Sequence, residues 1–197
     1  MQIIVHNYRI LTTPSDVHHC YNTPVWEVEI QSDLLDTPEF DLSLRLDENF
    51  DVSQSHHNIR RSTFCGTGVV AEFLAQSQRD FILDLVSPYF QFNKRYFQSI
   101  DHYKRTSGWQ SIVLRDQPGF QMKPHIDNSH VMAQMVVNLL QDNDTSTEFY
   151  YFNDQQPCYR APLKKNHGVI FLNTPGAVHS ISNINKTRWI LYSNVLI

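Results

Sequence analysis

The sequence predicts a mostly β fold, a β-sandwich or jelly roll with a helical layer packed on it. Three observations carry this: period-two stretches near the N-terminus, helical spacing from about Val69, and a run of short strand-like segments after Gly108. With 197 residues, 41% of them hydrophobic, the chain suits one domain whose core needs no disulfide staples. Within it, residues 1–66 read as accessory strands and a loop, 67–107 as supporting helices, and 108–197 as the core jelly-roll strands.

Each element has its own signal. "VWEVEIQ" sets Trp26, Val28 and Ile30 against Val25, Glu27 and Glu29, and "FDLSLRL" sets Phe40, Leu42, Leu44 and Leu46 against Asp41, Ser43 and Arg45. Alternation of this kind predicts strands with one wet face. "DVSQSHHNIRRST" has no period and reads as a connecting loop. Val70, Phe73, Leu74, Phe81 and Leu85 then recur at helical spacing until Pro88 ends the run. A second helix is expected to carry Phe90, Tyr96, Phe97 and Ile100. "WQSIVLR", "VMAQMVVNLL", "STEFYYF", "GVIFLN" and "RWILYSNVLI" follow as strands between Pro, Gly, Asn and Asp turn signals.

Composition excludes several classes. A formal charge of −4, without a clustered basic run, argues against a nucleic-acid clamp. Cys20, Cys65 and Cys158 are dispersed and odd in number, which fits neither a disulfide framework nor a zinc knot. The N-terminus lacks a signal-peptide pattern and no stretch is apolar enough to span a bilayer, so a cytoplasmic protein without a membrane partner is expected.

Chemistry concentrates in "KPHIDNSH", Lys123 to His130. His125 and Asp127 are two apart, so on an extended chain they point the same way. One imidazole and one carboxylate then reach a single ion, and His179 in "NTPGAVHSISN" is the best third ligand, 52 positions beyond Asp127. Two histidines and one carboxylate cover one octahedral face and leave three positions open, the arrangement of non-haem Fe(II). His130 reads as a second-sphere or surface residue, and the His18–His19 and His56–His57 pairs as solvated loop residues. Nine residues past His179, Arg188 opens the last strand and shares a face with Ile190 and Tyr192. No carboxylate of that segment is placed to neutralise it, so a bound dicarboxylate is its expected partner.

From about Ser111 to the C-terminus the chain resembles the 2-oxoglutarate and Fe(II)-dependent oxygenases, nearest to their prolyl-hydroxylase-like group. "VLRDQPGFQMKPHID" looks like the group's approach to its iron strand, and "HGVIFLNTPGAVHSISNINKTRWIL" like its closing segment. The resemblance implies a double-stranded β-helix in which His125, Asp127 and His179 ligate iron and Arg188 holds the far carboxylate of 2-oxoglutarate. It implies hydroxylation by dioxygen, with release of succinate and carbon dioxide. Asp116 departs from the pattern, since relatives often have tyrosine there to help hold the cosubstrate; Gln134 and Asn138, on one face of "QMVVN", are candidate replacements. Ile190 stands where some subgroups have serine, Asn194 where nucleic-acid demethylases want a second arginine, and Arg188 where collagen-type enzymes tend to have lysine.

The substrate is expected to be a peptide or a small molecule. Phe149, Tyr150, Tyr151 and Phe152 are candidates for the pocket mouth; Arg115 and Lys123 could greet an anionic substrate, but solvated loop charges are the preferred reading of those two. The rival readings are a cupin-like metal jelly roll without an oxo-acid, which has no need of Arg188, and a β-sandwich binding module, which has no need of iron. A zinc hydrolase lacks its H-E-x-x-H-type pattern.

Overall fold

A computed structural model describes residues 2–16, 19–52, 60–65, 76–92, 96, 98–140, 144–151, 154–182 and 184–197. The N-terminal half contributes β1 (Gln2–Asp16), β2 (His19–Gln31), α1 (Pro38–Ser43), β3 (Phe50–Val52), β4 (Arg61–Phe64), α2 (Gln76–Val86) and α3 (Ile100–Thr106). The remainder is β5 (Gly108–Asp116), β6 (Met122–His125), β7 (Val131–Asn138), β8 (Glu148–Phe149), β9 (Tyr159–Arg160), β10 (His167–Leu172), β11 (His179–Ile181) and β12 (Arg188–Leu196). All pairings are antiparallel. Eight strands form one sheet in the order β1-β2-β10-β7-β12-β5-β4-β3, and four form a second in the order β6-β11-β8-β9.

The large sheet is covered on both faces. Trp26, Val28, Ile30, Val137 and Leu191 pack with Ile82, Leu83 and Val86 of α2 on one side. Val25, Val169, Phe171 and Ile190 pack with Phe149 of the small sheet on the other. Burial on both faces explains why every residue of β7 is buried and why its sequence shows no alternation. Each fully buried aliphatic side chain contributes roughly 1.5–3 kcal/mol of transfer free energy. Among the described residues, no helix is long and apolar enough to cross a membrane.

Several expectations are corrected. "FDLSLRL" is not a strand: Pro38–Ser43 form α1, capped by Thr37, whose hydroxyl accepts from the Phe40 N–H at 3.2 Å. Thr at the cap and Pro at the first helical position start a helix. Phe40 and Leu44, four apart, are buried, whereas Leu42 is 60% exposed, so the spacing of apolar residues that looked like period two is also period four. The stretch read as one loop carries strand residues at both ends, in β3 and β4; β3 pairs with β4, and β4 with β5. In α2 the buried face is Ile82, Leu83 and Val86 rather than Phe81, which is 36% exposed. Val70, Phe73 and Leu74 lie outside the described residues, as do His18, His56, His57, Phe97 and Phe152. The second helix divides: Phe90 sits in a 3₁₀ turn (Ser87–Phe92), and only Ile100 belongs to α3. "STEFYYF" contributes just Glu148 and Phe149 to a strand.

Candidate metal centre

The small sheet brings the two histidines together. β6 and β11 pair with His179 opposite His125, and their ring centroids lie 4.5 Å apart. Asp127 follows β6 and turns back between them, with Oδ1 3.6 Å from His125 Nε2 and Oδ2 3.4 Å from His179 Nε2. One ligand atom from each of the three lies within 4.8 Å of the others.

Both imidazoles are set for metal binding by their other nitrogen. His125 Nδ1 bonds the Lys123 carbonyl and His179 Nδ1 the Ala177 carbonyl, each at 2.9 Å. A proton on Nδ1 leaves the Nε2 lone pair facing Asp127. Burial holds the His179 pKa below its ordinary value, which favours the neutral, ligating form. Burial pulls the Asp127 carboxyl up, but the His125 hydrogen bond and the nearby His179 outweigh it and leave a net lowering. Asp127 Oδ2 is buried without a hydrogen-bond partner. The Asp127 hydrogen bond raises the His125 pKa above its ordinary value, so a cation arriving there displaces a proton. An ionised, desolvated oxygen facing two Nε2 atoms fits a divalent cation. Buried Asn173 holds the turn from below, its Nδ2 donating to the Asn128 and Val131 carbonyls at 3.1 and 2.9 Å.

The triad opens into a cleft of about 340 Å³, lined at its far end by Arg61, Gln134, Arg188 and Asn194. Alternation on β12 aims Arg188 inward with Ile190, Tyr192 and Asn194. The sequence expects no carboxylate of its own segment beside Arg188, and the one that neighbours it comes from a different strand. Asp116 pairs with it across β5 and β12, and Arg188 Nε lies 3.3 Å from Asp116 Oδ2. Long-range strand pairing, invisible along the chain, supplies this neighbour.

Asp116 is nevertheless already engaged. Arg61 of β4 forks it, with Nε–Oδ1 at 2.5 Å and Nη2–Oδ2 at 2.8 Å. All three side chains are at most 4% exposed. Two guanidinium groups share one carboxylate, and Arg188 Nε and Nη2 are buried with no hydrogen-bond partner. Burial lowers the Arg188 pKa to about 10, which leaves it charged at neutral pH. Arg61 is the residue that sequence reasoning missed. Its signal was present in "NIRRST", two arginines beside β-forming residues, but nothing local tied it to Asp116, 55 positions away.

Other candidates separate clearly. Gln134 lines the cleft with both amide atoms unpartnered. Asn138 does not line it; its Nδ2 donates to the Pro162 carbonyl at 2.6 Å. Phe149 is core against Phe171, and Tyr150 turns its hydroxyl to Glu148, while Tyr151 is exposed. Arg115 is neither at the cleft nor a solvated loop charge: it is buried, paired with Asp47 at 2.6 Å and stacked on Phe50. Lys123 is exposed, and His130 stands exposed on the cleft rim.

No protein-family model and no curated protein matches the sequence. Solved structures do match in fold. A Pseudomonas putida prolyl-4-hydroxylase is similar with a TM-score of 0.61 at 12% identity, over 88% of this chain and 92% of that one. A prolyl hydroxylase from Trichoplax adhaerens, solved in complex with a hypoxia inducible factor oxygen degradation domain peptide fragment, is similar with a TM-score of 0.58 at 14% identity, over 87% and 83% of the two chains. At these identities the likeness is one of architecture: this chain has the jelly-roll fold of the two prolyl hydroxylases.

Proposed function

We propose that the protein is a 2-oxoglutarate- and Fe(II)-dependent dioxygenase that hydroxylates a peptidyl or small-molecule substrate. The observation that carries this is charge balance within one cleft. At the inner end, Arg61 and Arg188 against Asp116 leave one positive charge. At the outer end, a divalent cation on Asp127 and two neutral imidazoles leaves another. A dianionic oxo-acid short enough for a cleft of about 340 Å³ neutralises both.

His125, Asp127 and His179 would hold the iron. When bound, Fe(II) and 2-oxoglutarate supply the oxidation of substrate by dioxygen, with succinate and carbon dioxide as the other products. Arg188 would offer its unpartnered Nη2 to the far carboxylate while its Nε lies 3.3 Å from Asp116, and Arg61 holds Asp116 so that Arg188 is not drawn wholly onto it. Gln134 offers an amide to the same group. Tyr192, its hydroxyl pushed up to about 12 by burial, stays a neutral donor on the cleft wall. Ile112, Val136 and Ile190 keep water from the reacting atoms. A peptide substrate is favoured by the fold shared with the Trichoplax enzyme and its bound peptide.

The test is anaerobic titration with Fe(II) and then 2-oxoglutarate, followed by the weak visible charge-transfer absorption of a chelated oxo-acid. A band in wild type that fades in Arg188→Ala is expected. Tight iron binding with no band excludes the oxo-acid reading and leaves a metal jelly roll of another kind.

A further inference from the structure

A second group of two histidines and one carboxylate lies on the large sheet, with no residue in common with the first: His6 on β1, Glu29 on β2 and His167 on β10. We infer that these three side chains form a separate site for a late first-row divalent cation such as Zn²⁺, which clips the edge strand β1 onto its neighbours.

The backbone brings the three together at one rung. His167 stands directly opposite Glu29 in the β2–β10 pairing. On the other side of β2, Val5 pairs with Val28 and Asn7 with Glu27, so His6 is the extra residue of a β-bulge. Bulges re-aim a side chain, and this one puts His6 Nε2 2.7 Å from Glu29 Oε2. His167 Nε2 lies 3.6 Å from the same oxygen. The imidazoles are stacked, 3° apart in plane with centroids at 5.5 Å, and both turn Nε2 toward the same Glu29 oxygen. Ligand atoms about 3.3 Å apart are what tetrahedral bonds of roughly 2.0–2.1 Å require, and one such atom from each residue already lies within 4.8 Å of the others.

His167 is prepared in the same manner as His125 and His179. Its Nδ1 bonds the carbonyl two residues back, Lys165, at 2.9 Å, which leaves the Nε2 lone pair toward Glu29. The turn that delivers it is built deliberately: Asn166, at φ 60°, is the only non-glycine residue at positive φ among those described. Asn166 is tied on both sides, its N–H to the Asn138 carbonyl and its carbonyl to the Ile30 N–H, at 2.7 and 2.8 Å. A cation has access, because the His6 side chain is 44% exposed, and the adjoining groove presents Asp33 and Asp36 beside Glu29. His167 and Phe171, which touches His179, are four residues apart on β10, about 13 Å of strand, so the two triads cannot share an ion. Among the described residues β1 is paired on one side only along its 15 residues, and a cation bridging β1, β2 and β10 secures that edge.

The test counts Zn²⁺ bound by chelator-treated full-length protein, by calorimetric titration. Two equivalents are expected in wild type, one in His6→Asn, one in His179→Ala and none in the double variant. Glu29→Gln, which keeps shape and lowers ligand charge, is expected to weaken the second equivalent at least tenfold. His6 is exposed, so His6→Asn leaves the fold in place, and its circular dichroism serves as the control. Amide exchange in β1 should slow with Zn²⁺ in wild type and not in His6→Asn. Wild-type stoichiometry in His6→Asn overturns the inference, as does a single wild-type equivalent that is lost in His179→Ala. A single wild-type equivalent that survives His179→Ala but not His6→Asn upholds it while removing the iron reading, so the two proposals fail separately.

Discussion

Asp116 receives both oxygens' worth of hydrogen bonds from Arg61 and still lies 3.3 Å from Arg188. A single buried carboxylate between two guanidinium groups is stable because Arg61 satisfies it geometrically, and it leaves Arg188 under-partnered by construction. Arg61→Met is therefore expected to act twice. Asp116 keeps Arg188 as a counter-charge, so what the fold loses is the Arg61 hydrogen bonds to a buried carboxylate, about 1–3 kcal/mol. Asp116 then captures Arg188, and affinity for 2-oxoglutarate should fall about tenfold or more, equivalent to ~1.4 kcal/mol. Adding Asp116→Asn removes the competing charge and should restore part of that affinity. Equal oxo-acid affinity in Arg61→Met and wild type, measured by anaerobic titration, contradicts the positioning role.

Strand packing makes two further predictions. β10 passes so close to β7 that a Cβ on Gly168 would lie 1.9 Å from the Val136 carbonyl oxygen and 2.6 Å from Val137 Cα. Neither atom can move without parting the two strands. Gly168→Ala should cost about 3 kcal/mol, the upper range for overpacking, read from the urea midpoint. On the small sheet, Glu148 of β8 accepts from Ser182, from Arg160 at 2.8 Å and from Tyr150 at 2.9 Å. Burial raises its pKa, but these three bonds together hold it below the ordinary value of 4.5. A depressed folded pKa contributes stability that is full above pH 4.5 and lost as pH falls through the lower folded value. Glu148→Gln should thus be less stable than wild type near neutrality and lose less on acidification. Parallel urea midpoints against pH for the two proteins would rule out that contribution.

Across the whole molecule, the N-terminal hairpin is part of the main sheet. β2 pairs with β10 from Phe171 to His167, and Trp26, Val28 and Ile30 belong to the core shared with α2 and β7. A chain of residues 32–197 would expose that core face and turn β10 into an unprotected edge. We expect it to show no cooperative thermal transition, whereas the full chain unfolds in one. A truncated protein that melts near the wild-type temperature would mean the hairpin is dispensable.

What the sequence by itself determined is the part encoded in local period and spacing. Alternation and apolar runs marked β2, β5, β7, β10 and β12, and the two-residue step from His125 to Asp127 placed two ligands on one side of an extended chain. Alternation on β12 likewise set Arg188 with Ile190 and Tyr192. Residues 38–46 were ambiguous because apolar positions two apart are also four apart; the Thr37 cap, read together with Pro38, decides for helix. Tertiary structure alone decided the rest. Arg61 and Asp116, 55 residues apart, meet only because β4 lies beside β5, and His6, Glu29 and His167 meet only because three strands align at one rung. Strand register is fixed by which faces can be buried together, a property of the assembled core that no local stretch of the chain contains.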